Sequence, residues 1–311
     1  MTFQIKKIKE ILKRKILEKA SLKDSEIDII IEHYLIAELA GIKTHGLSKL
    51  FWDMNFFPQA IGAVPEILKK DKEVLFVNMN GMIGALGIEW MVNELKRSKK
   101  RFAHYQNLLP FGALFSVAYK LINLLGLSVM LFNNTDRFMR LKGGRDTIGT
   151  NPLCFAFASN PPVIFDMATS KKSMSYAFAM KERGNDKKNI LPKETYLDEK
   201  GFFTVDPFRV KYVVPAGDYK GYGLGFMIEL FTKFLFPQKT ATHSSGKFLC
   251  NGTILTIDSS GYDSLELKKY LLSLLDGYPG DKNMDDLSKS LLRETIDIED
   301  DAVIEKLGLL R

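Results

Sequence analysis

The fold class of this chain is decided by residues 153–170, which read LCFAFASNPPVIFDMATS. Two short apolar runs in this stretch, residues 153–157 and 163–165, have the composition of buried β-strands. Similar runs occur elsewhere, at residues 74–77, 128–132, 209–214 and 253–257. Helical patterns lie between the runs, at residues 84–98, 112–125 and 221–236, with more after residue 264. Strands that alternate with helices indicate an α/β domain.

The N-terminal segment has the pattern of helices. Its apolar residues recur at three- and four-residue steps, at Ile5, Ile8, Leu12 and Ile16. With lysines between them, they predict an amphipathic helix that has a basic outer face. Ser21 with Asp24 is typical of a capped start for a second helix, and Gly41 is a typical stop. We therefore expect residues 1–60 to be mostly helical.

The composition is that of an ordinary globular protein. The chain has 311 residues, of which 46% are hydrophobic and 26% are charged. These values exclude a disordered, collagen-like or coiled-coil chain. Lysine and arginine number 44 against 37 aspartate and glutamate residues, which gives a net charge of +7. Such a surplus fits either an anionic partner or a soluble protein that is rich in lysine.

Cysteine usage and the distribution of apolar residues predict a cytoplasmic location. Cys154 and Cys250 are far apart in apolar runs, which is neither a disulfide framework nor a zinc pattern and fits a reducing compartment. The first twenty residues are charged throughout and lack the apolar core of a signal peptide. The longest apolar stretch, residues 121–132, is shorter than the ~20 residues of a membrane span. We expect no membrane segment and no metal site.

A glycine-rich segment follows the first predicted strand. Gly81, Gly84 and Gly87 are spaced G-x-x-G-x-x-G, whereas the dinucleotide fingerprint of a Rossmann domain needs G-x-G-x-x-G. Residues 99–101 are Lys-Lys-Arg, where the fingerprint has an acidic residue. These basic residues would suit a 2′-phosphate, but a plain glycine-rich turn is favoured. The segment therefore predicts no Rossmann domain.

His45 and Lys49 are the first candidates for catalysis. His45 stands just beyond the expected helix stop and next to a glycine, and an imidazole exchanges protons near neutral pH. Lys49 is four residues further on and would share a helical face with His45. A proton donor beside a cation is what reduction of an anionic 2-oxo acid requires. The alternative is that His45 only stabilises a turn.

Three further segments have the composition of ligand sites. Residues 149–152 (GTNP) precede a predicted strand and residues 166–170 (DMATS) end the next one, and α/β proteins bind ligands at such strand ends. Tyr219, Lys220 and Gly221 open an apolar helix, where free amides and a lysine can bind phosphate. Each segment taken alone is equally explained as an ordinary turn or helix start.

Together these motifs match one family in order and spacing. The matching segments are residues 40–46 (AGIKTHG), 149–152 (GTNP), 161–170 (PPVIFDMATS), 191–192 (LP), 204–207 (TVDP) and 219–224 (YKGYGL). The chain resembles the type 2 malate/L-lactate dehydrogenase family of NAD(P)H-dependent 2-oxo-acid and cyclic-imine reductases. That family also includes sulfolactate, ureidoglycolate and diketogulonate enzymes. The likeness runs from about residue 20 to the C-terminus.

The resemblance implies an α/β fold that is not a Rossmann fold. A helical N-terminal part, residues 1–72, would carry the substrate-site histidine. A mixed-sheet NAD(P)-binding domain would follow over residues 73–260, and C-terminal helices in residues 261–311 would pack back on the N-terminal part. The resemblance also implies a homodimer.

The resemblance assigns roles to individual residues. His45 would be the catalytic proton donor, and Lys49 and Thr150 would bind the substrate, with Lys49 in place of an arginine that holds the substrate carboxylate. The cofactor, NAD or NADP, would contact Phe111, Asp166, Met167, Ala168, Tyr219, Lys220 and Gly280, the last in a late turn at residues 279–281.

Three departures from the family pattern bear on rate and substrate. Residues 109–112 read LPFG where family members have Asn-His-Phe, so a histidine that contacts the cofactor is missing. An acidic residue that orients the proton-donating histidine is replaced near residues 174–176 (MSY), as in the diketogulonate-reductase branch. Lys49 keeps the charge of the family arginine but loses its two-pronged bond to a carboxylate.

The favoured function is an NAD(P)H-dependent reductase that interconverts a small 2-oxo acid, or a cyclic imino acid, and its 2-hydroxy or amino acid by hydride transfer. The missing Asn-His pair leaves open an impaired relative that binds the cofactor as a scaffold or sensor. A nucleic-acid binder would fit the basic first helix, but the sequence has no aromatic-basic RNA motif and no zinc finger. The expected partner is therefore a small anionic substrate.

Overall fold

A computed structural model describes residues 1–60, 62–184, 190–234, 248–274, 277–278 and 280–309. The α-helices in the described part are α1 (Ile5–Leu17), α2 (Asp24–Leu39), α3 (Leu47–Asp53), α4 (Gly84–Ser98), α5 (Leu114–Leu125), α6 (Met174–Glu182), α7 (Tyr219–Lys233), α8 (Ser264–Ser273), α9 (Asp281–Arg293) and α10 (Asp301–Leu307). Two 3₁₀ helices, Lys43–His45 and Met54–Ala60, flank α3. The N-terminal part is therefore mostly helical.

The strands in the described residues form three sheets. They are β1 (Thr2–Gln4), β2 (Glu66–Lys70), β3 (Val74–Asn78), β4 (Phe102–Leu108), β5 (Ser128–Asn133), β6 (Met139–Arg140), β7 (Thr147–Ile148), β8 (Leu153–Phe157), β9 (Val163–Met167), β10 (Tyr196–Leu197), β11 (Phe203–Thr204), β12 (Tyr212–Val213), β13 (Cys250–Ile257) and β14 (Thr295–Asp297). The main sheet has the order β2-β3-β4-β13-β5-β8-β9, and a smaller one has the order β11-β10-β12-β6-β7.

The main sheet is mixed rather than doubly wound. Only β3 and β4 pair in parallel within it, across the helix α4, and the other neighbouring pairs in that sheet are antiparallel. Purely parallel sheets need a helical crossover between every neighbouring pair, which this order lacks. The expectation of an α/β fold with a mixed sheet and no Rossmann domain is confirmed.

Strand direction brings several loops to one edge of this sheet. Strands β4, β5 and β9 run in one direction, while β8 and β13 between them run in the other. The carboxyl ends of β4, β5 and β9 and the amino ends of β8 and β13 therefore lie at the same edge of the sheet. The segments that follow or precede these ends carry the residues of the candidate site.

One large apolar core joins the N-terminal helices, the main sheet and the C-terminal helices. Helix α9 contacts α2, and α10 contacts α1 and α3, while β1 pairs with β14 so that the two ends of the chain share a ribbon. A second, smaller core lies under the five-stranded sheet. The expected boundary at residue 72 falls between β2 and β3, which are neighbours in one sheet, so the domain division stays a prediction.

The structure corrects several local expectations. Helix α2 begins at Asp24 with Lys23 as its N-cap, because the Lys23 amide donates to Glu26 at 2.8 Å, and Ser21 makes no cap. The apolar run 209–214 contributes only the two residues of β12. Helix α5 begins at Leu114 and α7 at Tyr219, each two residues from the predicted start.

The glycine-rich segment is a tightly packed helix start. A side chain at Gly84, the first residue of α4, would collide with the carbonyl oxygens of Leu109 and Pro110, and one at Gly87 would collide with Leu108. These glycines let α4 lie directly against the segment that follows β4. The glycine-rich segment therefore supports the loop that carries Phe111. This packing role agrees with the interpretation of the G-x-x-G-x-x-G spacing as a glycine-rich turn and not as a dinucleotide fingerprint.

Candidate functional site

A cavity of about 750 Å³ lies at the edge of the main sheet where the strand ends meet. Its volume is in the range of small-molecule and cofactor sites. The structure brings seven of the sequence-predicted site residues to its wall: His45, Lys49, Phe111, Thr150, Asp166, Met167 and Ala168. They come from the first 3₁₀ helix, from α3, and from segments next to β4, β8 and β9.

Hydrogen bonds hold both the His45 imidazole and the turn that carries it. Its Nδ1 lies 2.9 Å from the Thr44 hydroxyl oxygen, which leaves Nε2 for the cavity. The turn that carries it is fixed because buried Glu38 accepts a hydrogen bond from the Leu47 amide at 2.8 Å, and a side chain at Gly46 would collide with Glu38. Burial, followed by the charge of Lys49, lowers the pKa of His45 to about 4. In the free protein the imidazole is therefore neutral at pH 7.

Lys49 is held in the cavity wall by an ion pair. Its ammonium nitrogen lies 2.5 Å from Asp53 Oδ1 and 3.9 Å from the centre of the Trp52 ring. The hydroxyl of buried Tyr34 donates to Asp53 Oδ2 at 2.5 Å. Burial raises the pKa of Asp53, while Lys49 and Tyr34 oppose that shift. Asp53 was not predicted, although its i,i+4 spacing from Lys49 on a helix was a signal for such a pair.

Asp166 at the end of β9 joins the sheet to a helix. Its carboxylate accepts a hydrogen bond from the Phe115 amide at 2.8 Å, at the N-terminus of α5. Burial raises the pKa of Asp166 to about 6, against the opposing effect of the Phe115 and Leu114 amides. The contact fixes the loop between β4 and α5, so Phe111, Met167 and Ala168 face one cavity from two directions.

Thr150 is fastened to the loop that follows β5. Its hydroxyl lies 3.0 Å from the Thr135 hydroxyl, and its amide donates to the same Thr135 oxygen at 2.8 Å. The neighbouring Asn151 amide group donates to the Gly225 carbonyl of α7 at 2.8 Å. The 149–152 segment therefore connects the cavity wall to the helix α7.

Three predicted cofactor residues lie away from this wall. Tyr219 is 73% exposed and Lys220 is also exposed at the start of α7, and neither lines the cavity, although Ala216 before them does. Gly280 is the N-cap of α9, where a side chain would collide with the Ile164 carbonyl of β9, so it permits a close backbone approach. Its predicted neighbour Pro279 lies outside the described residues.

Several cavity residues were not predicted from the sequence. The rings of Trp52, Phe56 and Phe248 form a connected group that we call the aromatic wall. Asp136, in the loop after β5, also lines the cavity, and burial raises its pKa to about 6. Its only sequence signal was that a polar segment, residues 133–136, directly follows the predicted strand 128–132. Among the described residues no cluster of histidine, cysteine and acidic side chains is suited to a metal ion.

Comparison with known proteins settles the family. Residues 3–277 match the family model described as malate/L-lactate dehydrogenase. The chain belongs to the malate/L-lactate dehydrogenase family. Membership of that family confirms the resemblance drawn from the His45, 149–152, 161–170 and 219–224 segments.

Curated dehydrogenases similar to this chain are 23% to 36% identical to it over the aligned residues. The L-sulfolactate dehydrogenase of Methanothermobacter thermautotrophicus is 26% identical over 263 residues, which cover 78% of this chain and 72% of that protein. The ureidoglycolate dehydrogenase (NAD(+)) of Escherichia coli is 23% identical over 231 residues, 70% of this chain and 63% of that protein. The (2R)-3-sulfolactate dehydrogenase (NADP(+)) of Chromohalobacter salexigens is 36% identical over 128 residues, 40% of this chain and 37% of that protein.

Solved structures of this fold extend over almost the whole chain. A dehydrogenase from Sinorhizobium meliloti has a TM-score of 0.82 at 22% identity and covers 99% of this chain and 98% of its own. That match supports the fold described above. In the part of the chain that the structure describes, none of the helices has the length and apolar character required to cross a membrane.

Proposed function

We propose that this dehydrogenase interconverts a small 2-oxo acid, or a cyclic imino acid, and the corresponding 2-hydroxy or amino acid with NAD or NADP. The observation that carries the proposal is that His45 and Lys49 line one cavity together with Asp166, Met167 and Ala168. A proton-transfer group and a cation thus face the segment that the family pattern assigns to the cofactor. Relatives named as NAD(+) and NADP(+) enzymes support either cofactor.

The cavity has the size and lining for a nicotinamide cofactor. Met167, Ala168 and Phe111 offer apolar contacts for a ring, and Ala216 continues that surface. Lys171 and Lys172 also line the cavity next to this segment and are proposed to face the cofactor phosphates, because the exposed Lys220 lies outside the lining. When bound, the nicotinamide ring supplies or accepts the hydride.

Lys49 and His45 act together on the substrate. Lys49 binds the substrate carboxylate and so places the C2 oxygen beside His45. In the oxidative direction, neutral His45 accepts the hydroxyl proton, and in the reductive direction protonated His45 returns it to the C2 oxygen. The charge of Lys49 lowers the pKa of His45. A carboxylate bound to Lys49 offsets that charge, so substrate binding favours protonation of His45.

The impaired relative without catalysis is the less favoured alternative. Pro110 stands where the family histidine is missing and lines the cavity, while His45 and Lys49 are both retained in its wall. Of residues 174–176, Met174 and Ser175 line the cavity and Tyr176 lines a smaller neighbouring one. These changes bear on rate and substrate, whereas the proton-transfer group and the carboxylate-binding cation remain.

Helix α7 supports the further proposal of a homodimer. Large apolar side chains on it and directly after it are between 40% and 73% exposed, namely Leu224, Phe226, Met227 and Phe231 on the helix and Phe234 just after it. Contiguous apolar surface of this kind is typical of an interface, and a twofold dimer is the commonest closed assembly. We propose that a second copy of the chain covers this stripe.

A thermal-shift experiment followed by a substrate screen tests the proposed activity. NADH and NADPH are added separately at millimolar concentration, and a ligand at a hundredfold excess over its Kd stabilises the fold by about 2.7 kcal/mol. We expect an upward shift in Tm with at least one of them. Consumption of that cofactor is then followed by absorbance with 2-oxo acids and cyclic imines. Absence of a shift with both cofactors would contradict the proposal.

A further inference from the structure

We propose that this site selects 2-oxo acids with a single negative charge and an aromatic side chain over those with a second anionic group. The inference rests on the proposed reductase function and names its substrate class. Two observations carry it: the aromatic wall next to Lys49 and the unpaired carboxylate of Asp136 in the same cavity. Malate and sulfolactate, after which several relatives are named, each carry two anionic groups.

The aromatic wall is adjacent to the proposed carboxylate-binding cation. The Trp52 and Phe56 ring centres are 4.7 Å apart, and Phe248 lies 5.5 Å from Trp52 and 5.4 Å from Phe56. These are the separations of interacting aromatic rings. All three residues are only partly buried by the protein and line the cavity. The wall therefore presents ring surface to a ligand.

Lys49 connects this wall to the reacting centre. Its ammonium nitrogen lies 3.9 Å from the Trp52 ring centre, and it lines the same cavity as His45. In the proposed binding mode, the carboxylate of the 2-oxo acid binds Lys49, its C2 oxygen faces His45 and its side chain lies against the aromatic wall. An aromatic side chain there makes ring contacts that a methyl group or a carboxylate does not.

Asp136 disfavours a second anionic group. Among the described residues its carboxylate has no hydrogen-bond or ion-pair partner. The two lysines whose charges it senses, Lys49 and Lys233, are each already paired, with Asp53 and with Glu229, at 2.5 Å. Asp136 therefore adds negative charge to the cavity, and a substrate carboxylate or sulfonate nearby would be repelled.

The other lysines that line the described cavity are Lys171 and Lys172, which are proposed above to face the cofactor phosphates and not the substrate. The Lys171 ammonium group donates to the Glu194 carbonyl at 3.0 Å, and Lys172 lies 5.3 Å from the Tyr176 ring centre. In the proposed binding mode, a second anion on the substrate has no further lysine among the described lining residues to pair with, and Asp136 repels it. A substrate with one carboxylate and an aromatic group satisfies both Lys49 and the wall.

Steady-state kinetics at pH 8, where Asp136 is ionised, test the selectivity. The substrates are phenylpyruvate, pyruvate, oxaloacetate and 3-sulfopyruvate, and the comparison is kcat/KM. We expect phenylpyruvate to exceed oxaloacetate and 3-sulfopyruvate by about tenfold or more, since two like charges about 4 Å apart repel by more than that factor at the effective dielectric of a partly buried site. A wild-type preference for oxaloacetate or 3-sulfopyruvate over phenylpyruvate would overturn the inference.

Two variants with matched controls separate the two observations. Asp136→Asn should raise kcat/KM for oxaloacetate by about tenfold and leave phenylpyruvate nearly unchanged, whereas Asp28→Asn, on the exposed face of α2, should change neither. Phe56→Leu, which leaves Lys49 and Trp52 in place, should lower kcat/KM for phenylpyruvate about two- to tenfold and spare pyruvate. Phe202→Leu is its control, because Phe202 is 67% exposed and away from the cavity.

A binding measurement keeps the inference separate from the proposed activity. The chain has two tryptophans, so Trp52 emission is isolated in a Trp90→Phe background and titrated with 3-phenyllactate and with malate. We expect tighter binding of 3-phenyllactate, and a gain in malate affinity in Asp136→Asn. Selective binding without turnover of any 2-oxo acid would refute the proposed function alone. Turnover with malate bound as tightly as 3-phenyllactate would refute the inference alone.

Discussion

Replacement of Asp53 by asparagine should weaken both the fold and the binding of a 2-oxo acid, because Asp53 holds the Lys49 ammonium group in the cavity wall. The two charged atoms are 2.5 Å apart, and the side chains of Lys49 and Asp53 are 13% and 2% exposed. Asparagine keeps the shape of aspartate without its charge, so Lys49 loses its partner. Breaking a buried ion pair costs about 3–5 kcal/mol. Since Lys49 keeps some access to the cavity, we expect about 3 kcal/mol.

The protein contains a matched control for this variant. Lys289 and Asp285 form another i,i+4 ion pair at 2.5 Å, but their side chains are 58% and 54% exposed. Asp285→Asn should therefore cost less than about 1 kcal/mol. Urea unfolding measures both free energies, and steady-state kinetics measure KM for the 2-oxo acid. Asp53→Asn should raise KM about tenfold with a smaller effect on kcat, because the Lys49 ammonium group is no longer held where it donates to the substrate carboxylate.

Two outcomes would refute this account of Asp53. Equal losses of unfolding free energy in Asp53→Asn and Asp285→Asn would show that the buried pair contributes no more than an exposed one. An unchanged KM in Asp53→Asn, with cofactor affinity also unchanged, would show that Asp53 does not position Lys49 for the substrate.

Three further predictions concern pH, thiol reactivity and assembly. Burial lowers the pKa of His33 to about 3. The contribution of neutral His33 to the free energy of unfolding is therefore complete above pH 6.5 and is lost as the pH falls towards 3. The free energy of unfolding should therefore decrease as the pH falls from 6 to 4, and its slope should be about 1.4 kcal/mol per pH unit smaller in His33→Gln than in wild type. Equal slopes in the two proteins would contradict this. Burial raises the pKa of Cys250 to about 12, so maleimide at pH 7 should modify it only after urea unfolding, and rapid labelling of the native protein would oppose that expectation. Phe231→Asp on α7 should convert a dimer to a monomer in light scattering, and a wild-type monomer at micromolar concentration would rule out the proposed interface.

The pattern of elements could be predicted from sequence wherever apolar periodicity was strong. The run 74–77 and helix 84–98 match β3 and α4 closely, because each has a complete apolar pattern of the period that its structure requires. The run 209–214 gave only a two-residue strand, because its partners β6 and β10 are themselves two residues long. The length of a strand depends on the length of the strands with which it pairs. A local sequence pattern holds no information about those partners.

The candidate site could be predicted only in part, for a similar reason. Residues 166–168 and His45 come from motifs whose composition marks a strand end or a turn, and these residues reach the cavity. Lys220 has an equally good local motif at a helix start, yet it is exposed and does not line the cavity. Asp136 and the aromatic wall depend on which loops meet at the sheet edge, and only the order of strands determines that.

The most direct test of the central claim is the turnover number of His45→Ala, measured beside its affinity for the cofactor. If His45 transfers the proton, kcat should fall by ~10²–10⁴, which is the usual contribution of general acid–base catalysis. Cofactor affinity from fluorescence titration should stay nearly unchanged. If His45 only stabilises the turn between α2 and α3, the variant should melt at a lower temperature and keep its rate. Full specific activity in His45→Ala would contradict the assignment of this cavity as the catalytic site.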